Sequence, residues 1–433
     1  MNNIIDNMEY FEINGIKGAL IRRDDIESIT VSILLKTGNS FDEPLKSGVS
    51  SLTSILLNKG TKGLSAMDIA DEFDSMGTSF LSTSGKDATF INLWTLKENF
   101  KKSMNLLKKI ILEPVFPVEE LEREKEKALS SLYQKLDSPA DLSSYVFEKN
   151  IYENHPYGNL PTPESISNIQ RDDIISFYNN FYNRENLFIV FAGNINIKDV
   201  KEGLTDFDNL NNIKIDNPHI PEVRELKKDR VILFNKPDAM QSQIRYGFTS
   251  IKRDINNYES LKVANYILGG GGFSSRLLLK VRSESGLTYS ISSSINANLY
   301  GGNFVISSFS KHDTTIQALK LSEKVLKDFI KEGITDKELA DAISYYTGNI
   351  PLSLETPADI AHKVLYSELY SLGKDYIKKE IENIKRVKKG DIKNISNRYL
   401  NREKKLITIV GNYDKLKDYL KDFEDLEIID KIF

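Results

Sequence analysis

The chain has 433 residues, 40% of them hydrophobic, which exceeds what one core usually holds and suffices for two ordinary globular domains. A net charge of −4 gives no electrostatic reason to expect nucleic acid or an anionic membrane as partner. Cysteine is absent, which excludes disulfides, thiolate catalysis and Cys-ligated zinc or iron–sulfur centres.

In chain order, the first segment, MNNIIDNMEYFEINGIKGALIRR, lacks a basic region followed by an apolar run, so no signal peptide is expected. That favours the cytoplasm, or the periplasm if a leader has been removed. No apolar stretch approaches the roughly 18–20 residues that span a bilayer, so no membrane span is expected. Val31-Ser32-Ile33-Leu34-Leu35 reads as a strand. GVSSLTSILLNKGT, residues 48–61, reads as an amphipathic helix with Val49, Leu52, Ile55 and Leu56 on its apolar stripe and Gly60-Thr61 closing it. Residues 118–136, rich in Glu and Lys, read as a long helix, and His155 in Asn154-His155-Pro156-Tyr157-Gly158 as part of a fixed turn. LFIVFAGN (187–194) is an apolar strand ending in Gly-Asn, and the polar, proline-bearing stretch 209–229 is the best linker candidate. Beyond it, Ile244–Phe248 reads as a strand, Phe273–Val281 as a helix, Leu287–Ile295 as a strand, and KLITIVGN (405–412) closes the pattern. Gly269–Gly272 invites a phosphate-loop reading, but neither G-x-x-x-x-G-K-[ST] nor G-x-G-x-x-G in a strand–helix context is present.

The chain repeats itself. Pro139-Ala140-Asp141 recurs as Pro357-Ala358-Asp359, Asp173-Ile174 as Asp391-Ile392, Asn183-Arg184-Glu185 as Asn401-Arg402-Glu403, and Gly193-Asn194 as Gly411-Asn412. Every pair is offset by 218 residues (357 minus 139). The expected architecture is therefore α+β: two homologous, duplicated domains, each a mainly antiparallel sheet packed with helices. The expected extents are 1–208, a 209–229 linker, and 230–433.

A zinc site on a helix needs ligands one turn apart, where side chains project together. In the 48–61 helix those positions hold Ser51, Ser54 and Ile55, none a usual zinc ligand. The four histidines, His155, His219, His312 and His362, cannot easily replace them: the closest two are 50 residues apart, and no H-x-x-x-H, H-x-x-E-H or H-E-x-x-H exists.

Several landmarks nevertheless recur in one order and spacing. They are Thr37-Gly38-Asn39-Ser40 with Glu43-Pro44, the Gly48–Thr61 segment, Met76-Gly77, Ser82-Thr83-Ser84 and Asp87. Asp137-Ser138-Pro139, His155-Pro156-Tyr157-Gly158 and GGGGFSSRL (269–277) follow. On these the chain resembles the insulinase/pitrilysin family of inverted-zincin metallopeptidases, in its short, mitochondrial processing peptidase-like form. Active members carry G-x-x-H-x-x-E-H-x-x-x-x-G-T. Laid on this sequence, the ligand histidines fall on Ser51 and Ile55, the water-activating glutamate on Ser54, and the third ligand, counted back from Asp137, on Ser131. Glu124 and Glu126 lie nearby but are displaced by five or more residues. The resemblance thus implies no metal and no cofactor on this chain.

Arg282 and Tyr289 alone would pass for a surface arginine at a helix end and a tyrosine on an edge strand. In the family, an arginine and a tyrosine at this spacing bind the substrate backbone and help polarise the scissile carbonyl, a task that suits a guanidinium and a phenol. The resemblance therefore implies a non-catalytic subunit of a heterodimeric zinc metallopeptidase. Its partner, a homologous H-x-x-E-H-bearing subunit, would bring zinc and the base, and the substrates would be peptides or unfolded segments. The alternative is an inert scaffold or peptide-binding protein like the core subunits of respiratory complexes, which resemble the same family.

Overall fold

The computed structural model describes residues 8–210, 219–253 and 255–433. Residues 211–218 of the expected linker lie outside the described residues. The chain forms two compact units. The first gathers residues up to Ser130 with Pro161–Ile220 and Asn349–Lys379; the second gathers Ser131–Leu160, Pro221–Gly348 and Glu380–Phe433.

In the first unit, strands β1 (Met8–Ile13), β2 (Ile16–Arg22), β3 (Ser28–Leu35), β6 (Ser79–Ser84), β7 (Thr89–Leu96) and β8 (Leu187–Gly193) form a sheet in the order β1-β2-β8-β3-β7-β6. The short strands β4 (Gly60–Thr61) and β5 (Leu64–Ser65) make a separate hairpin. Sequence pattern follows position in the sheet. β8 (LFIVFAG) is central and buried at every residue, as a strand covered on both faces must be. β7, next to the edge, alternates: Thr89, Ile91, Leu93 and Thr95 are buried and the residues between them are less so. Ile91 and Leu93 enter a core with Leu52 and Leu56 of the Val49–Leu56 helix, Phe73 and Met104.

The second unit has β9 (Arg230–Asn235), β10 (Ser242–Ser250), β11 (Ser290–Asn298), β12 (Gly301–Ser310), β13 (Leu406–Gly411) and β14 (Leu426–Ile429), in the order β11-β12-β10-β13-β9-β14. Counted from the β6 edge, the first sheet runs β6-β7-β3-β8-β2-β1, so five strands correspond with the same pairing sense. β2/β8 and β9/β13 are both parallel, and the other equivalent pairs antiparallel. The sixth place differs: β1 lies antiparallel to β2, whereas β14 lies parallel to β9.

The halves also exchange a helix. Pro139–Ile151, from the first half of the sequence, packs on β13 and β10; Pro357–Leu369, from the second half, packs on β3 and β8. We keep 1–208 and 230–433 as the proposed extents of the two repeats; the compact units interleave segments of both.

The residues that recur at the 218-residue offset are caps and turns. Ser138 and Thr356 accept the N–H of Asp141 and Asp359 ahead of a proline in the first helical turn. The carboxylates of Asp173 and Asp391 accept the backbone N–H of Gln170 and Lys388, closing two more helix starts. Asn183 accepts the N–H of Asn186 at 3.0 Å just before β8.

Two expected elements move. The helix expected over Phe273–Val281 is broken: Gly272–Ser274 is a single 3₁₀ turn, Ser275 is extended, and Leu278–Glu284 is π-helical. Gly272 has φ +57° and Ser275 an extended backbone, and neither can continue a helix. The strand expected from Leu287 starts at Ser290, because the Leu287 N–H instead donates to the Val281 carbonyl at 3.0 Å and closes a loop.

Candidate functional site

The first candidate is the Val49–Leu56 helix. Its entry is set by Gly48, whose φ of +110° only glycine adopts without strain. The Asp42 carboxylate accepts the N–H of Gly48 at 2.8 Å and of Ser50 at 3.2 Å, satisfying donors that the helix start leaves open. Asp42 is only 5% exposed, and burial pushes its carboxyl up to about 7 against the pull of those hydrogen bonds.

The positions expected to be degenerate are filled by a hydroxyl network. Ser54 is 0% exposed and its Oγ lies 2.6 Å from Ser82 Oγ on β6. Ser50 Oγ donates to Asn39 Oδ1 at 2.7 Å; Ser51 and Ser84 reach the same oxygen at 3.4 and 3.3 Å. Ile55 is 39% exposed and offers hydrocarbon. Zinc needs nitrogen, thiolate or carboxylate donors at about 2.0–2.3 Å. Here the buried hydroxyl is already bonded to its neighbour and the last position has no donor, so the residues present do not fit zinc. No carboxylate on this helix could take a proton from water.

Ser131 is an exposed residue of the Val118–Asp137 helix. Glu124 on that helix is buried, with Lys127 at 2.8 Å and Lys59, just beyond the Val49–Leu56 helix, at 3.8 Å, so it is committed to ion pairs. Glu126 is exposed. Among the described residues no cluster of three or more His, Asp or Glu side chains could hold a metal ion.

Three of the four histidines have structural tasks. His155 Nδ1 accepts the Tyr157 N–H at 3.1 Å, so Nε2 carries the proton and donates to the Pro221 carbonyl at 2.8 Å. That fixes the turn. His312 is buried between Ser242 Oγ and the Ala239 carbonyl, and His362 packs against Phe90.

The second candidate is around Arg282 and Tyr289. The Val281–Leu287 hydrogen bond closes the loop between them, so both residues flank its stem. Arg282, in the π-helical segment, is half-buried, and its guanidinium carbon sits 4.8 Å from the centroid of the Phe273 ring. Tyr289 is 68% exposed and immediately precedes the edge strand β11. It is held between two anchored residues: Thr288 hydrogen-bonds to the Phe309 carbonyl, and Ser290 enters the ladder opposite Phe309. A half-buried cation and an exposed phenol are therefore carried close together in sequence on a hydrogen-bonded backbone. The Asp42 cap and the Phe273 stack escape sequence reasoning. Each links residues of ordinary type, and the weak clue is an acid six residues before a helix-opening glycine.

These features define a duplicated α+β fold whose Val49–Leu56 helix carries no metal-ligating side chain. Residues 19–160 match the family model described as insulinase, peptidase family M16, and residues 168–346 match the peptidase M16 inactive domain. The chain belongs to the insulinase family, peptidase family M16. It is 28% identical over 404 residues to an uncharacterized zinc protease of Rickettsia bellii, covering 90% of this chain and 95% of that protein. It is 27% identical over 354 residues to the non-peptidase homolog YmxG of Helicobacter pylori, covering 80% of each. Its fold matches the crystal structure of a peptidase M16 inactive domain from Pseudomonas fluorescens with a TM-score of 0.87 and 25% identity, over 94% of this chain and 98% of that one. Among the described residues no helix is long and apolar enough to cross a membrane.

Proposed function

We propose that this chain is the non-catalytic subunit of a heterodimeric zinc metallopeptidase. The homologous partner brings H-x-x-E-H, zinc and the general base. This chain brings Arg282 and Tyr289, whose donors bind the backbone of an extended peptide and stabilise charge that develops on the scissile carbonyl. The observation that carries the reading is the contrast within one chain: Ser51, Ser54 and Ile55 have no ligand or base chemistry, whereas a half-buried Arg282 and an exposed Tyr289 stand at the two ends of the loop that the Val281–Leu287 hydrogen bond closes. Two sheet edges support it. β6 (SFLSTS) and β11 (SISSSINAN) carry no charge, unlike the opposite edges β1 and β14, which carry glutamate. Uncharged edges suit main-chain pairing with an extended peptide.

The test is hydrolysis of a fluorogenic, unstructured peptide by the isolated chain and by its complex with an H-x-x-E-H homologue from the same cells, with and without chelator. The expected result is a silent chain and a chelator-sensitive complex. Cleavage by the isolated chain overturns the reading. A complex that forms without cleaving favours the inert scaffold.

A further inference from the structure

The turn that precedes Arg282 is built more firmly than a loop needs. A Cβ on Gly269 would lie 2.5 Å from Ser293 Oγ and 2.6 Å from the Ser293 nitrogen, and one on Gly271 would lie 2.8 Å from the Tyr266 carbonyl oxygen. Side chains are thus excluded, and the backbone passes close over β11 and the preceding helix. Ser274 and Ser275 hydrogen-bond back to the carbonyls of Gly271 and Gly272. Beyond the turn, Arg276 binds both oxygens of Glu338, at 2.6 and 2.8 Å, and the Gly333 carbonyl at 2.8 Å. Between these two anchors stands Phe273, 76% exposed.

A single exposed apolar residue is ordinary. Phe273 differs because it is held on both sides and because one face of its ring is taken by the Arg282 guanidinium. Most of the side chain remains exposed. A guanidinium has five N–H donors, and its contact with a ring is not a hydrogen bond, so an acceptor can still be bound beside the ring. In an extended peptide the residues are about 3.3 Å apart along the strand. A carbonyl held by Arg282 therefore brings a neighbouring side chain to the ring.

We propose that Phe273 and Arg282 form one composite subsite, in which the cation takes a backbone carbonyl of an extended peptide and the ring takes the large apolar side chain beside it. The inference rests on the peptide-clamp reading of Arg282 and adds a preference: peptides with a bulky apolar or aromatic residue at that place. Phe273 is the specificity-determining residue, and the glycine turn and the Arg276–Glu338 pair position it.

The test uses the full chain and two fluorescein-labelled, unstructured peptides that differ only in one central residue, phenylalanine or alanine, with binding read by fluorescence anisotropy. The wild type is expected to bind the phenylalanine peptide roughly 10-fold more tightly, the factor that burying one aromatic side chain against a single ring provides. Phe273→Ala is expected to abolish that ratio, Phe273→Leu to keep part of it, and Arg282→Ala to weaken both peptides alike. Equal binding of the two peptides by a wild type that is still sensitive to Arg282→Ala overturns the subsite and leaves the clamp. A ratio that survives Phe273→Ala does the same. Binding that is undetectable, or indifferent to Arg282→Ala, overturns clamp and subsite together.

Discussion

Ser54 Oγ and Ser82 Oγ lie 2.6 Å apart, both buried, and bond the helix position where we propose that active relatives carry the catalytic glutamate directly to strand β6. Small hydroxyls pack this face of the helix, with Ser50, Ser51 and Ser84 gathered on Asn39 Oδ1 beside the Ser54–Ser82 pair. A glutamate no longer fits: Ser54→Glu is expected to cost about 1–3 kcal/mol from overpacking alone, before the burial of charge is added. Ile55→His, at a 39% exposed position, should stay within about 0.5 kcal/mol. Urea unfolding of the two variants separates them.

Asp42 gives a pH signature. Its folded pKa is raised to about 7, above the roughly 3.9 of an unfolded aspartate, so the folded state holds the proton more tightly. Its contribution to stability is therefore fully present below about pH 4 and lost as pH rises towards 7. Asp42→Asn, which keeps an acceptor for Gly48 and Ser50 but cannot ionise, should flatten that slope relative to wild type. Asp42→Ala removes the acceptor and should cost about 1–3 kcal/mol at every pH. Thermal unfolding midpoints across this range check both.

Two glycines should respond with opposite signs. Gly269→Ala drives a methyl into Ser293 and should destabilise by more than about 1 kcal/mol, with loss of the Phe273–Arg282 stack. Gly348, in the Asp336–Leu352 helix, has nothing within 4 Å of an added Cβ, and Gly348→Ala should stabilise by about 0.5–1 kcal/mol. Denaturation curves of the two variants decide this.

The duplication was legible in the sequence because many of its surviving matches are local structural punctuation: Ser138/Thr356 with Pro-Ala-Asp, and Asp173/Asp391, cap helix starts within a few residues of their own position. The central strands were legible for a related reason, since β8 is apolar without interruption and β13 is interrupted only by Thr408. The exchange of Pro139–Ile151 and Pro357–Leu369 was not legible, because either sheet presents the same kind of apolar face and nothing in a helix's own sequence names which one it covers. The site divided similarly. That Ser51, Ser54 and Ile55 offer no zinc-ligand chemistry follows from residue identity. The pairing of Ser54 with Ser82, the Asp42 cap and the Phe273 stack depend on contacts between distant segments. The break in the helix expected over Phe273–Val281 was not legible, because the extended Ser275 interrupts a periodicity that otherwise persists.

The central claim is that this chain supplies transition-state donors to a partner's zinc site. The most direct measurement is peptide hydrolysis by the reconstituted complex with Arg282→Ala or Tyr289→Phe in this chain. The account predicts that the complex still assembles and that kcat falls about 10²–10³-fold for the arginine variant, the loss expected when one oxyanion donor is removed. Unchanged kcat in both variants, with the complex intact, would contradict it.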